Sequence, residues 1–406
     1  MPSDRSVYCV RKASSPSIFQ DGIKRQGVTW AGVKPSGRIA RMSFDVGRRE
    51  LLAASFLLGG CSQEEQESKS TEKNSAWRAE LAALERRIPA AMEEFKIPGL
   101  AMAVVKDAKT VWRKEFGVKD RESNVPVDDG TMFEAASMSK PVFAYAVMKL
   151  VEKGVLDLDA PLTKYTPEKF LKGDARLEQI TARRVLSHTS GFQNWRSEKE
   201  PLKIHFPPGE KWAYSGEGYS YLQSVVERLS GQPIEPYMKA NLFAPFGMVS
   251  SGYVWNQEFE KRMARPHDSM GKPTDNKKST VADAARYGSS GALLTTPAEY
   301  AKFLVEVIDP KPADAFRLNP TSLKEMVRPH VKVNAYLFPS AWALGWQIRH
   351  AAYGDVICHG GDNEGFHSMC GASVARKSGF VVMTNGENGY QLIKQKLFED
   401  LVLRVL

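Results

Sequence analysis

Three short segments, far apart in the chain, carry residue types suited to acyl-transfer chemistry. The first is Ser137-Met138-Ser139-Lys140. Positions i and i+3 share a helix face, so Ser137 Oγ and Lys140 Nζ can meet at a helix start. A helix N-terminus and a nearby ammonium would both favour a developing alkoxide on Ser137. Pro141 follows at once and disfavours α conformation at Lys140, so the first turn is expected to be irregular. The second is Tyr214, at the end of a turn-rich stretch, Phe206-Pro207-Pro208-Gly209-Glu210-Lys211-Trp212-Ala213-Tyr214. A phenol beside a cation becomes more acidic and can act as base for Ser137, then as acid to a leaving group. The third is His359-Gly360-Gly361-Asp362, on a segment that reads as a strand. Its glycines would let a substrate lie along the strand edge. The backbone N–H of Asp362, with that of Ser137, would form an oxyanion hole.

Ser-x-x-Lys alone recurs by chance, a lone Tyr is usually a packing residue and a strand His is usually half-buried, so the elements that bring these segments together matter. Apolar residues recur at helical spacing from Trp77 through Leu81, Leu84, Ile88, Met92 and Phe95. Leu100–Lys106 and Thr110–Phe116 read as a hairpin turning at Asp107-Ala108-Lys109. The middle of the chain is mostly helical, with Ser137–Lys153, Gly218–Ser230 and Pro297–Ile308 the clearest stretches. Strands are expected at Trp342–His350, Asp355–Gly361, Phe366–Ala375 and Gly379–Thr384, then a last helix at Tyr390–Leu403. Strands at both ends around a helical middle predict an α/β (α+β) fold. One antiparallel sheet is built from both chain ends and flanked by helices, with a mainly helical subdomain inserted.

Taken in order, Phe133-Glu134-Ala135-Ala136-Ser137-Met138-Ser139-Lys140, Leu186-Ser187-His188-Thr189-Ser190-Gly191, Pro208-Gly209-Glu210 through Tyr214, and the His-Gly-Gly strand resemble the serine β-lactamase and penicillin-binding superfamily. The nearest branch is similar to class C β-lactamases, D-alanyl-D-alanine carboxypeptidases and related esterases, over about residues 77–406. The resemblance implies a groove between the sheet and the helical subdomain, and an acyl-enzyme on Ser137 with Lys140 and Tyr214 as the base system. It implies small ester, amide or β-lactam substrates and no cofactor or metal. Two departures bear on substrate. The family's Tyr-x-Asn reads Tyr214-Ser215-Gly216 here, and the Asn that helps bind a substrate amide and the lysine is missing. Asn194 and Glu217 are the candidates to compensate. The family's third motif in β-lactamases begins with Lys, which favours a substrate carboxylate; here it begins with His359, ordinarily mostly neutral at pH 7. Both changes favour an esterase or broad acyl hydrolase. A D-amino-acid peptidase, a true β-lactamase and a non-catalytic penicillin-binding-like sensor stay as alternatives. His188 and His267 are expected to hold loops, and Trp346 either lines the groove or packs in the core. Glu217 is also a candidate to poise a deacylating water.

The formal charge of +9 does not argue for nucleic acid. Ten Lys/Arg against four Asp/Glu lie in residues 1–60, leaving 46 basic and 43 acidic residues for the rest. Hydrophobic content of 42% and charged content of 25% are those of an ordinary globular chain. Arg48-Arg49, the apolar run Leu51–Leu58 and Gly59-Gly60-Cys61 read as an export signal ending in a lipobox, with Cys61 lipidated and the paired arginines similar to a twin-arginine signal. The expected organisation is residues 1–41 untranslated or disordered (Met42 being the start), a signal over 42–60, an anchored flexible tether over 61–75, and one hydrolase domain over 76–406. That places the protein in the periplasm as a monomer, anchored to a membrane, the outer one if the host has two. Cys358 and Cys370 would lie nearly opposite on neighbouring strands joined around Asn363-Glu364-Gly365, close enough for a disulfide; a reduced buried pair is the expectation.

Overall fold

The computed structural model describes residues 77–166, 170–310, 316–333 and 340–406. The export signal, Cys61 and the tether lie outside the described residues, which belong to the unit Trp77–Leu406.

Strand β1 (Gly99–Lys106) sits near the middle of the main sheet and is apolar along nearly its whole length. It has helices over both faces, so the residues do not alternate with polar ones. Leu100, Met102 and Val104 face one core; Ala101, Ala103 and Val105 face another. A helix over 77–95 (α1) lays Leu81, Leu84, Ile88 and Met92 on the first core, as its i, i+3, i+4 spacing requires. The C-terminal helical segment over 389–405 joins it there with Leu392, Leu397 and Leu401.

β2 (Lys109–Asp120) and β3 (Val125–Pro126) extend the sheet on one side of β1. After β4 (Phe133–Ala136) the chain enters the helical region: α2 (Ser139–Glu152), α3 (Ala182–Leu186), α4 (Gly216–Ser230), α5 (Ile234–Met238), α6 (Gln257–Arg262) and α7 (Val281–Tyr287). It returns through β5 (Leu293–Thr295), α8 (Pro297–Ile308) and α9 (Pro320–Val327) to β6 (Val331–Val333), β7 (Ser340–Trp342), β8 (Gln347–Ala351), β9 (Gly354–Asn363), β10 (Phe366–Ser373) and β11 (Ser378–Thr384). The sheet order is β3-β2-β1-β11-β10-β9-β8-β7-β6, antiparallel throughout. The pairing of β1 with β11 joins the two chain ends, as expected. β4 and β5 form a separate two-stranded ribbon.

Three expectations are corrected. The strand expected over Trp342–His350 is two strands, β7 and β8, because Gly345 takes φ +85 between them. A Cβ there would come 2.6 Å from Ala144 Cβ, so only glycine lets this turn sit on α2. The helix expected from Ser137 begins at Ser139, leaving Ser137 in a tight turn held by Lys140 N–H donating to Ser137 O at 3.1 Å. Pro141 then falls in the first helical turn, where a missing N–H costs nothing. Cys358 pairs with Gly371, and Cys370 with His359, so the cysteines are one register step from opposite and face different sides of the sheet. Both are free and buried.

Candidate active site

Ala136 is a non-glycine residue at φ +48, immediately before Ser137. Such a conformation costs on the order of 1–3 kcal/mol and persists only where surroundings impose it. Here β4 is fixed from several directions. Ser139 Oγ donates to Ala136 O at 2.6 Å and accepts from Leu293 N–H at 3.0 Å. Tyr300 Oη, on α8, donates to Met138 O at 2.9 Å. Ser368 Oγ, on β10, donates to Ala135 O at 2.9 Å. The turn therefore presents Ser137 at a fixed point beside the sheet.

Lys140 is fully buried, with Nζ 3.2 Å from Ser137 Oγ. Nζ donates to Ser290 O at 2.6 Å and lies 4.7 Å from the Tyr214 ring centroid and 5.5 Å from that of Tyr219. Burial among aromatic rings strips the ammonium of water and pushes its pKa well below the ordinary lysine value. This revises the sequence expectation. With its ammonium form disfavoured by burial, Lys140 is suited to act on the Ser137 hydroxyl as a base rather than as a cation that stabilises an alkoxide. The same burial weakens the cationic support for Tyr214 that the residue types alone suggested.

Tyr214 is held by its loop. Ala213 N–H donates to His188 O at 2.8 Å, and Ser215 N–H donates to His188 Nδ1 at 3.1 Å. An accepting Nδ1 places the His188 proton on Nε2, and burial keeps the ring neutral. The His188 and Tyr214 rings lie 4.2 Å apart, so this histidine holds the loop, as expected, and orients the tyrosine. Trp342 and His359 complete the aromatic wall, 5.9 and 6.3 Å from the Tyr214 ring.

His359 is buried, and its Nδ1 lies 2.7 Å from Gly360 O, to which it donates. Burial above all lowers its pKa to about 3, so it carries no charge at neutral pH. Gly361 does more than leave room for substrate. A Cβ there would lie 2.2 Å from both Ala135 O and Ser368 Oγ, so glycine is what lets β9 approach β4 and the Ser137 turn. Asp362 follows. Asn363 and Phe366 close the hairpin around the two-residue connection Glu364-Gly365, which makes Asp362–His367 a non-hydrogen-bonded pair. The Asp362 N–H thus points away from β10. β8 begins at Gln347 opposite Cys358, so among the described residues no strand pairs with that edge of β9 from His359 onward.

The two candidates to compensate for Gly216 are both engaged in local bonds. Asn194 Oδ1 accepts the Gly216 N–H at 2.9 Å. Glu217, with its side chain 2% exposed, is bound by Arg196 through Nη2 at 2.6 Å and Nε at 2.8 Å, so it is not free to poise a water. The space beside Gly216 is taken by Trp195, whose ring carbons would lie 2.4–2.7 Å from a Cβ at 216. Gly216→Ala is expected to lose about 1–3 kcal/mol of stability through overpacking. Trp195→Ala in the same chain should restore most of it, and a double-mutant cycle by thermal or urea unfolding measures the coupling.

Sequence reasoning also missed Glu134, whose carboxylate accepts from Asn363 Nδ2 at 2.6 Å and so ties β4 to the end of β9. Burial raises its pKa from 4.5 to about 7. Between these values the unfolded chain ionises Glu134 while the folded one keeps it protonated, so this group makes stability fall as pH rises from 4.5 to 7. Glu134→Gln keeps the acceptor and removes that loss. Its melting temperature should match wild type near pH 4.5 and exceed it at pH 8. Trp346 and His267 are structural: Trp346 is in the core, and His267 Nδ1 bonds Asn385 O at 2.9 Å while its Nε2 accepts Arg121 N–H at 3.2 Å. Among the described residues, no group of three or more His, Cys, Asp or Glu is placed to hold a metal.

A sheet joined from both chain ends, a helical insertion and a Ser-x-x-Lys turn facing an open strand edge are the arrangement of serine β-lactamases and penicillin-binding proteins. The chain belongs to the Beta-lactamase family, whose model matches residues 84–398. It is 31% identical to "Esterase EstB" of Burkholderia gladioli over 232 residues, 49% of this chain and 59% of that protein, so the match spans little more than half of the esterase. It is 24% identical to "Putative penicillin-binding protein PbpX" of Bacillus subtilis (strain 168), over 84% of each chain. Its fold is similar to that of D-alanine carboxypeptidase AmpC from Burkholderia cenocepacia, with TM-score 0.66 at 19% identity, over 79% of this chain and 99% of that one. A penicillin-binding protein homologue from Pyrococcus abyssi, described as octameric, aligns with TM-score 0.67 at 24% identity, over 80% of this chain and 77% of that one.

Proposed function

We propose that the protein is an esterase or related acyl hydrolase working through an acyl-enzyme on Ser137. The observation that carries this reading is the buried Lys140 Nζ, its pKa lowered by desolvation, 3.2 Å from Ser137 Oγ. Lys140 Nζ takes the Ser137 hydroxyl proton as Oγ bonds to the substrate carbonyl carbon, and the carbonyl electrons move onto oxygen. The Ser137 and Asp362 N–H groups receive that oxyanion. On collapse the C–O bond to the leaving alkoxide breaks, and the proton passes from Lys140 by way of the Tyr214 hydroxyl to the departing oxygen. Water then attacks the acyl-enzyme, gives a proton back along the same path and frees Ser137.

Two features favour esters over β-lactams or peptides. A neutral His359 offers a substrate carboxylate no counter-charge. Position 216 offers a substrate amide no side chain, and an alkoxide is a better leaving group than an amine. The test is hydrolysis of p-nitrophenyl acetate, a cephalosporin and a D-Ala-D-Ala peptide, with intact mass after each. Turnover of the acetate exceeding both others supports the reading. A stable Ser137 adduct without turnover of any substrate would make this a penicillin-binding-like sensor.

The segment before the domain supports a second proposal, that the protein is exported and anchored through Cys61. Cys61→Ala should move the protein from the membrane fraction to the soluble one; unchanged sedimentation with membranes would refute the anchor.

A further inference from the structure

The loop carrying Trp195 is fastened to the N-terminus of α4 residue by residue. Ser215 Oγ donates to Gln193 O at 2.9 Å, Gly216 N–H to Asn194 Oδ1 at 2.9 Å and Glu217 N–H to Asn194 O at 3.0 Å. Arg196 N–H donates to Glu217 Oε1 at 2.9 Å, and its guanidinium pairs with Glu217 Oε2 at 2.6 Å. A charge pair with a nearly buried carboxylate is costly to break, since it would leave Glu217 unpaired. Trp195 lies between these bonded neighbours and has little freedom. Its ring covers Gly216, two residues from Tyr214, and stands edge-on to Tyr287 at 5.2 Å between centroids. Tyr287 belongs to the turn that ends at Ser290, whose carbonyl holds Lys140. The two rings therefore lie on segments that adjoin the loop of Tyr214 and the turn whose Ser290 carbonyl holds Lys140. Trp195 is part-exposed, so the wall presents an aromatic surface rather than being closed in the core.

We propose that Trp195, seated in the space a side chain at 216 would fill, is a specificity-determining residue that selects substrates with a bulky or aromatic apolar acyl group. The proposal rests on the acyl-hydrolase reading of Ser137 above. A fixed indole contributes a large apolar contact at small entropic cost and offers a substrate amide no carbonyl acceptor. The arrangement sorts acyl groups by apolar contact, where a methylene or more changes kcat/KM by about tenfold to a hundredfold.

The test compares wild type, Trp195→Ala and Trp195→Phe on the p-nitrophenyl esters of acetate, butyrate, octanoate and phenylacetate. The expected result is that Trp195→Ala lowers kcat/KM for phenylacetate at least tenfold relative to acetate, while Trp195→Phe keeps the wild-type ranking. The same fractional loss on every ester, or none on any, overturns the proposal and leaves Trp195 a packing residue. Failure of the ester reading is separable. If wild type hydrolyses no ester, the same variants are compared for the rate of Ser137 modification by methanesulfonyl fluoride and phenylmethanesulfonyl fluoride. A wild-type preference for the aryl reagent that Trp195→Ala abolishes supports the wall; an unchanged ratio overturns it.

Discussion

Ser137→Ala is expected to lower esterase turnover by on the order of 10⁴-fold or more and to abolish labelling by a fluorophosphonate. The size follows from what the substitution removes. Without Oγ no acyl-enzyme forms, and only the oxyanion donors and substrate binding remain to speed direct attack by water. The fold should be unaffected. Ser137 precedes α2, its Oγ meets Lys140, and the bonds that fix the turn are made by Ser139, Tyr300 and Ser368. Equal melting temperatures for variant and wild type, alongside the activity loss, would separate chemistry from folding. Residual turnover within tenfold of wild type would place the nucleophile elsewhere.

Lys140→Met should lower the acylation rate by about 10²–10⁴-fold, the range for removing a general base. It should also raise thermal stability, which a purely structural lysine would not do. Burial holds the Lys140 pKa in the folded protein well below the ordinary lysine value of 10.5 that applies to the unfolded chain. Between the lowered folded pKa and 10.5 the unfolded state binds the extra proton, so stability rises with pH across that window and the wild type carries a penalty below it. Methionine is similar in length and carries no such penalty. It forgoes one hydrogen bond to Ser290 O, worth about 1 kcal/mol. The stability advantage of Lys140→Met should shrink as pH rises towards 10.5, measured by thermal unfolding between about pH 6 and 10. Lys140→Arg, which cannot shed its charge, should be both inactive and less stable than wild type.

The parts of the fold that were legible in sequence are those with long periodic patterns. α8 occupies Pro297–Ile308 as expected, because Thr296 caps it, Pro297 starts it and Ile308 ends its apolar stripe. The β1–β2 hairpin and the β9–β11 strands stood out for their apolar runs between turn residues. Strands of two to four residues, such as β3, β4, β5 and β6, are too short to show a period. The cysteine register turned on one residue of loop length. A loop of Asn363-Glu364-Gly365 sets Cys358 opposite Cys370, whereas the actual two-residue connection shifts the partner by one and sends the thiols to opposite faces.

In the site, residue identity was legible and protonation was not. Ser137, Lys140, Tyr214 and His359 fall close together, and their types and order announced them. The charge state of Lys140 depends on how much water reaches it, which Tyr214 and Tyr219 decide from distant positions in the chain. The same holds for His359. Trp195 gave no signal because its effect depends on Gly216 having no side chain, a relation visible only once the loop is laid on α4. Glu134 lay inside the segment that identified Ser137, but its partner Asn363 sits at the end of β9, far from it in the chain.

The proposed chemistry turns on Lys140 resting as a free amine poised on Ser137. The most direct test is the second-order rate of Ser137 phosphonylation by a fluorophosphonate, followed by intact mass between pH 6.5 and 9.5. An amine already deprotonated predicts a rate that changes less than threefold over that range. A lysine with its ordinary pKa of 10.5 predicts a rate rising about tenfold per pH unit, and that slope would contradict a free amine at rest.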